Sequence, residues 1–516
     1  MEKYYLTTPL YYVNASPHIG HAYTNVISDC AARFNRLNNK EVFFLTGTDE
    51  HGEKIKKAAE QAGVDTETFI EEKVLVFKDL WKKLHISEHF FIRTSQKFHV
   101  DVVQKAIKFL SDKGDIYKSE YEGYYCIPCE SFWTKTQVQE AGGCPECKRN
   151  IEKIVEENYF FKLSKYSGWL KNYIRDNPDF IKPKIRYNEV VGFLENNSLE
   201  DLCISRPKRR VSWGIDFPLD DKYVVYVWFD ALLNYISGVG FGTDKDKFKK
   251  WWPADIQFIG KDILRHHAVV WPVMLKALDI EPPRTVFAHG WWKIEAVKIS
   301  KSKGNIVNPL ELMEQIGADS LRYFLLREIT IGMDGNYSWE GIVNRINSDL
   351  ANDFGNLIFR VLNMTEKYFQ AKVNCPVEWR VPPEFAPFVG DSDLKQAYMK
   401  SMNALDFPAA LEKVWGFIKI MNKYIEDMKP WILWKEKDIE KLCSFLWSLL
   451  EGIRIVSVYI FPFMPRTACS IAGQLGCRLD ESRISLDMSK DYNVYWTRKS
   501  FETKKGLPLF PRIDVN

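Results

Sequence analysis

The chain has 516 residues, which at roughly 150 residues per domain suggests about three domains and argues against a single small binding module. Hydrophobic residues make up 46% and charged residues 27%, the balance of a folded protein with ample core, so disorder is excluded as the main state. With 71 Lys+Arg against 68 Asp+Glu the net charge is +3, so any contact with nucleic acid must come from local patches and not from a whole-molecule field.

The first residues, MEKYYLTTPLYYV, are interrupted by a lysine and two threonines and do not read as a secretory signal. Residues 3–8 and 41–46 are short apolar or β-branched runs, each followed by turn chemistry and a helical pattern, as in the βα units of a parallel sheet. Between them, Asn14-Ala-Ser-Pro-His-Ile-Gly-His21 opens a helix, with Ser16 suited to the N-cap and Pro17 to the first helical position. His18 and His21 then share one face of the first turn, where unpaired N–H groups and the helix dipole make a receptor for phosphate oxygens. Gly20 leaves room for a nucleotide. Alone, the pattern also describes a pair of surface or core-rim histidines.

Further along, Cys126-Ile-Pro-Cys129 and Cys144-Pro-Glu-Cys147 form two C-x-x-C knuckles, four thiolates for one tetrahedral Zn²⁺. The other cysteines, at 30, 203, 375, 443, 469 and 477, have no paired spacing. The set points to metal chemistry in a reducing compartment and not to a disulfide framework. No histidine is interleaved and four thiolates leave no spare coordination position, so the expected metal is structural. The polar stretch 148–210 ends on the basic run Arg206-Pro-Lys-Arg-Arg210, which fits either RNA phosphates or a solvated linker.

The α/β grammar returns at Tyr223–Trp228, Ile256–Gly260 and Thr285–His289, so one α/β domain is split by an insertion. Gly260 and Asp262 follow the strand 256–260 at its carboxyl end, the side on which parallel sheets hold ligands. Asp262 also suits the N-cap of the next helix. In Val297-Lys-Ile-Ser-Lys-Ser-Lys-Gly-Asn305, lysines alternate with serines. Alone this is a solvated charged loop; beside the histidine helix it offers mobile cations that follow charge onto a pyrophosphate leaving group. From Asn344 onward the strands stop and helical periodicity runs through 350–364, 409–428 and 441–460, a helical bundle. The best membrane candidate, Phe445–Pro465, is broken by Glu451 and Arg454 and falls short of the ~18 uncharged residues a span needs. A cytoplasmic protein without membrane contact is expected.

His18-Ile-Gly-His21 and Lys298-Ile-Ser-Lys-Ser302, in this order on a split nucleotide-binding fold, resemble the two signature motifs of class I aminoacyl-tRNA synthetases. Ile299 stands where methionine is usual, an apolar exchange. Within that class, TTPLYYVN at 7–14, GTDEHG at 47–52, YVWFDAL at 226–232, FIGKDILRHH at 258–267 and PLFPRI at 508–513 are similar to methionyl-tRNA synthetases. The likeness covers nearly the whole chain.

The resemblance implies an α/β fold: a split Rossmann-like parallel-sheet catalytic domain (1–115 and 223–290) with an inserted zinc-knuckle connective domain (116–222). A signature-loop and stem-contact region (291–345) and an all-α helical anticodon-binding domain (346–516) would follow. The implied activity is that of an ATP-dependent ligase that converts L-methionine to its adenylate, releasing pyrophosphate, and then esterifies the 3′-terminal adenosine of tRNA(Met), initiator and elongator. His18, His21, Lys298 and Lys301 would be catalytic. ATP, with Mg²⁺ to offset its charge, would meet His18, Gly20, His21, Gly260, Asp262, Lys298, Ser300 and Lys301. The methionine pocket would comprise Leu10, Tyr12, Asp49, Trp228, Ala231, Leu232, Tyr235, Ile263 and His267, with Asp49 holding the ammonium. Aromatic faces and edges suit a thioether. Asn356, Arg360 and Trp431 fall where the family places its anticodon readers, and a stacking indole with polar neighbours suits an unpaired RNA loop. Trp431 is also compatible with a core indole.

Other readings fit less of the chain. A small-molecule nucleotidylyltransferase uses a similar histidine helix but needs no helical domain. Synthetases for branched-chain amino acids resemble this chain but carry a large editing insertion, and the cysteine enzyme places zinc in its substrate pocket. An RNA-binding relative without catalysis has no need of His18, His21, Lys298 and Lys301. Since no further module follows the bundle, a monomer is expected.

Overall fold

The computed structural model describes residues 1–126, 131–133, 135–145, 147–294, 297–298, 307–389, 392–476, 479, 484–486 and 500–514. The aromatic and threonine-rich opening forms β1 (Lys3–Tyr12), followed by β2 (Glu41–Asp49) and β3 (Phe90–Arg93). Next come β4 (Ile116–Cys126), β5 (Ser131–Trp133) and β6 (Glu152–Phe161). Four short strands succeed them, β7 (Ile181–Lys182), β8 (Leu202–Cys203), β9 (Ser205–Pro207) and β10 (Tyr223–Val225). The last two relevant here are β11 (Ile256–Gly260) and β12 (Val286–His289).

Six of these form one parallel sheet in the order β3-β2-β1-β11-β12-β7. Its inner strands are buried on both faces, so they lack the strict polar–apolar alternation of half-exposed strands. Two expectations change here. Tyr223–Trp228 is not a strand of this sheet: β10 pairs antiparallel with β9, and a helix, Val227–Leu232, begins two residues later. Also, the span 116–222 does not stay apart from the sheet, because β7 returns to pair with Val286 and Phe287 of β12. The rest of that span builds a second, antiparallel sheet, β5-β4-β6-β8.

The basic run is neither a solvated linker nor an open RNA patch. Arg206 is buried, its guanidinium lies 4.9 Å from the Tyr125 ring and 4.5 Å from that of Tyr226, and Nη1 donates to the Ser205 carbonyl at 2.7 Å. Arg210 pairs with Glu152 at 2.7 Å and Glu156 at 3.3 Å, both on β6. Only Arg209 of the three arginines is exposed. Arg206 and Arg210 thus pack the run against β4 and β6 of the antiparallel sheet.

Helix α1 (Ile19–Leu37) follows β1 and is buried along almost its whole length. The parallel sheet covers one side, and helix Ala318–Arg327 with the C-terminal helices covers the other. One apolar cluster therefore runs from Leu6 and Phe258 past Ile27 and Phe324 to Phe417 and Phe445. At its centre Asp29 accepts from Arg33 at 2.9 Å, from Arg322 at 2.7 Å and from the Ser87 backbone at 2.7 Å. Burial alone would raise this carboxyl, but the two guanidiniums and Ser87 hold it well below the usual carboxylate range. Fully buried Arg322 also donates to the carbonyls of Leu84, Pro462 and Phe463, so one side chain ties α1 to the bundle.

The bundle comprises helices such as Asn356–Phe369, Phe407–Met428 and Ile439–Ile460. Strands do not stop at Asn344, however: Lys372–Asn374 pairs antiparallel with Ser500–Glu502, clasping the chain end to the bundle. Helix Ile439–Ile460 is long and apolar enough to cross a membrane, but 89% of its most apolar window is buried, and Arg454 pairs internally with Glu451 at 2.8 Å. It is a core helix.

Candidate active site

The carboxyl ends of β1, β2, β11 and β12 open on a cleft of about 400 Å³. It gathers segments far apart in sequence. All nine residues expected around methionine line it: Leu10, Tyr12, Asp49, Trp228, Ala231, Leu232, Tyr235, Ile263 and His267. His18, Gly20, His21, Gly260 and Asp262 line it as well.

The start of α1 differs from the expected cap. Ser16 and Pro17 stay outside the helix, and His18, extended at φ −128°, is the N-cap. Its Nδ1 accepts from Gly20 N at 3.1 Å, and His21 Nδ1 accepts from His18 N at 3.2 Å, a reciprocal capping box built from imidazoles. The rings stack with centroids 3.8 Å apart. Because each Nδ1 is an acceptor, the proton of each neutral ring is assigned to Nε2, which is a donor. A β-carbon on Gly20 would fall 2.9 Å from His18 Cε1, so glycine here serves the cap before it serves any nucleotide.

On the opposite wall, the Trp228 indole stacks on His266 at 3.8 Å and meets His267 edge-on at 6.5 Å. His267 Nδ1 donates to the Ile263 carbonyl at 2.9 Å, which fixes its tautomer, so Nε2 accepts the Tyr235 hydroxyl at 2.7 Å. Burial pushes His266 down to about 3 and His267 down to about 4, so both rings are neutral at physiological pH. This wall is aromatic and uncharged. Asp49, at the end of β2, brings a carboxylate to the same cleft.

At the carboxyl end of β11, Asp262 is not an N-cap: Gly260 precedes the short turn Lys261–Ile263, and Asp262 Oδ1 accepts from Trp291 Nε1 at 3.0 Å. Trp291 is one of several lining residues that motif reading missed, with Lys54, Thr24, Asn234 and His289. His289 Nδ1 donates to Gly290 O at 2.8 Å and its Nε2 lies 2.8 Å from Thr24 Oγ1. The available signal was position: His289 ends β12 beside Gly260 of β11, and Lys54 stands in the first turn of helix Glu53–Ala62, which follows the end of β2.

Lys298 lies in the two-residue strand Val297–Lys298, paired with Trp292–Ile294. Ser300 and Lys301 fall outside the described residues, as does Cys129. Val307 O accepts from Ile19 N at 3.1 Å, so the chain at Val307 is pinned to the start of α1.

Cys126, Cys144 and Cys147 converge at the tip of β4, their sulfurs all within 4.8 Å of one another and Cys126 Sγ 3.5 Å from Cys147 Sγ. A tetrahedral ion with ~2.3 Å zinc–sulfur bonds spaces its ligands roughly 3.8 Å apart, so the thiols fit such a centre. In the bundle, Lys429 in a left-handed conformation (φ 46°) ends helix Phe407–Met428, and Pro430–Lys435 starts anew. Trp431 is 50% exposed and therefore not a core indole. Asn356 is exposed, and half-buried Arg360 donates to Glu426 at 2.6 Å.

A parallel sheet with this histidine-capped helix at its carboxyl edge defines a class I synthetase architecture, and the chain matches the family described as tRNA synthetases class I (M) over residues 4–154 and 149–362. It is 46% identical to the methionine–tRNA ligase of Clostridium acetobutylicum over 520 residues, covering 100% of this chain and 79% of that protein. The Thermotoga maritima methionine–tRNA ligase is 43% identical, covering 99% and 81%. Among solved structures, Mycobacterium tuberculosis methionyl-tRNA synthetase in complex with methionyl-adenylate superposes with a TM-score of 0.90 at 39% identity, covering 99% of this chain and 100% of that one. The chain belongs to the methionyl-tRNA synthetase family.

Proposed function

We infer that this enzyme activates methionine with ATP and then charges a transfer RNA with it. The observation that carries the reading is the cleft, where a phosphate-receiving helix end, an aromatic wall and the Asp49 carboxylate meet. In the first step a methionine carboxylate oxygen attacks the α-phosphorus and the bond to pyrophosphate breaks. In the second, a ribose hydroxyl of the 3′-terminal adenosine attacks the adenylate carbonyl carbon and AMP leaves.

Asp49 is assigned to the substrate ammonium, and Trp228, Tyr235 and His267 to the thioether, which aromatic rings contact favourably. Leu10, Tyr12, Ala231, Leu232 and Ile263 complete that pocket. Gly260 and Asp262 take the adenosine. His18 and His21 donate to phosphate oxygens at the positive end of α1. Lys298, Ser300 and Lys301 follow the pyrophosphate as its charge develops, so they act mainly in the transition state. The bond from Ile19 to Val307 supports this, since it holds the end of that loop at the helix that receives the phosphates. Mg²⁺ accompanies the triphosphate and neutralises part of its charge.

Pyrophosphate exchange assayed with each of the twenty amino acids, without tRNA, should depend on methionine. Faster exchange with leucine or cysteine overturns the assignment. Slow exchange with leucine does not, because a hydrophobic pocket separates near-isosteres by only ~1–3 kcal/mol.

One structural Zn²⁺ is assigned to Cys126, Cys129, Cys144 and Cys147. The ion, when bound, cross-links the tip of β4 to the 144–147 turn. Metal analysis should give one equivalent per chain, lost when Cys126 and Cys144 are both replaced by serine, with a lower unfolding temperature. A double variant with full stability and aminoacylation removes the structural role.

We place the first and second halves of the catalytic domain at 1–115 and 223–290, the connective region at 116–222, the signature-loop region at 291–345 and the anticodon-binding bundle at 346–516. Asn356, Arg360 and Trp431 are assigned to the anticodon of initiator and elongator tRNA(Met). The enzyme works as a monomer in the cytoplasm, a setting that keeps the thiols of the cysteine cluster reduced.

A further inference from the structure

GTDEHG and YVWFDAL contribute Asp49, Trp228, Ala231 and Leu232 to the cleft, but each also contains a buried ionisable residue that does not line it, His51 and Asp230. These two meet behind the wall. Asp230 Oδ2 lies 2.7 Å from His51 Nδ1, and its Oδ1 lies 2.8 Å from Nε2 of fully buried His99. His99 Nδ1 in turn lies 2.8 Å from Ser237 Oγ. Burial alone would raise the Asp230 carboxyl, but His51 and His99 hold it below its ordinary value. An ionised carboxylate only accepts, so both histidines donate to it, while the Ser237 hydroxyl beside His99 Nδ1 also donates to the Asn234 carbonyl at 3.3 Å.

The partners come from three places: the segment after β2, helix Lys97–Asp112, and the pair of short helices Val227–Leu232 and Asn234–Ser237. His51 stands two residues after Asp49, Asp230 between Trp228 and Ala231, and Ser237 two residues after Tyr235. One carboxylate therefore fixes the spacing between the ammonium end of the pocket and its aromatic end. Glu50, between Asp49 and His51, is locked separately by Arg93 at 2.7 and 3.0 Å and by Ser95 at 2.5 Å, so Asp49 is held from both sides.

We propose that Asp230, with His51 and His99, is a positioning unit for methionine: it sets the distance between Asp49 and the Trp228–Tyr235 wall and so determines amino-acid affinity, without touching the substrate. This rests on the assignment of that half of the cleft to methionine. A charge-assisted hydrogen bond buried in this way is strong, and its loss leaves a buried donor facing nothing suitable.

In Asp230→Asn the amide accepts from one histidine but presents its own N–H to the other. Pyrophosphate exchange should show KM for methionine raised about tenfold, with KM for ATP and kcat within about threefold, the pattern of lost uniform binding. The conservative partner is His51→Asn, whose Nδ2 stands where Nδ1–H stood and should keep KM near the parent value, while His51→Leu should raise it as Asp230→Asn does. The proposal is overturned if Asp230→Asn leaves KM for methionine within about twofold of the parent, or if His51→Asn and His51→Leu behave alike. Should Asp230→Asn fail to fold, the two His51 variants decide. Asp49→Asn serves as the reference: an unchanged KM there defeats the methionine assignment itself, whereas a raised KM there with a normal Asp230→Asn defeats only the positioning unit.

Discussion

Replacing His21 by asparagine should slow methionyl-adenylate formation by about 10²- to 10³-fold in single turnover, the usual effect of deleting one donor aimed at developing charge, while methionine binding stays the same. The choice of asparagine follows from the cap. His21 Nδ1 accepts the His18 N–H, and loss of such a cap costs roughly 1 kcal/mol of stability. Asparagine puts Oδ1 near the position of Nδ1 and keeps that bond, but it has nothing at the place of Nε2–H. Helix and catalysis are thereby separated: the unfolding temperature should hold while the rate falls. Alanine should lose both. If asparagine adenylates methionine at the parent rate, the stacked histidines are a structural cap only, and the phosphate site must be sought on the lysine loop.

What could be read from the sequence was set by how local each interaction is. The parallel strands were legible because apolar runs followed by turn residues and a helical period are local patterns, and the meeting of Cys126, Cys144 and Cys147 was legible because C-x-x-C spacing marks thiolates that share a centre. That the nine residues from Leu10 to His267 share one cleft was legible only jointly, by resemblance, since no single aromatic distinguishes a cleft from a core. Interactions between distant segments were not legible. Arg206 looked solvated because its neighbours in sequence are basic, yet the rings that cover it, Tyr125 and Tyr226, and the carboxylates of Glu152 and Glu156 that pair with Arg210, come from elsewhere in the chain. Strand β7 has two residues and no periodicity to detect. Ser16 has the chemistry of an N-cap, but the chain stays extended for two further residues, and an imidazole able to accept through Nδ1 takes the position. The Asp230 network was hidden for the same reason, since its members lie in three separate segments.

Exposure of Trp431 allows synthesis of the adenylate to be separated from recognition of the tRNA. Lys429 ends one helix and Pro430 starts the next, so Trp431 falls in a first turn at the surface, with half of its area accessible. Three residues on, Trp434 is 42% exposed and stacks on Tyr368 of helix Asn356–Phe369, the helix that carries Asn356 and Arg360. An exposed indole beside a second aromatic pair suits unpaired bases, each stack contributing ~1–3 kcal/mol. The described residues lining the active cleft run from Pro9 to Trp292, so Trp431 takes no part in it. Trp431→Ala should therefore leave methionine-dependent pyrophosphate exchange and the unfolding temperature nearly unchanged while lowering kcat/KM for tRNA by about ten- to a hundredfold. Removing an exposed ring costs little stability, which makes the melting curve a fair control. If exchange and charging fell together, or if charging of tRNA(Met) were unaffected, the anticodon assignment would have to move away from this corner of the bundle.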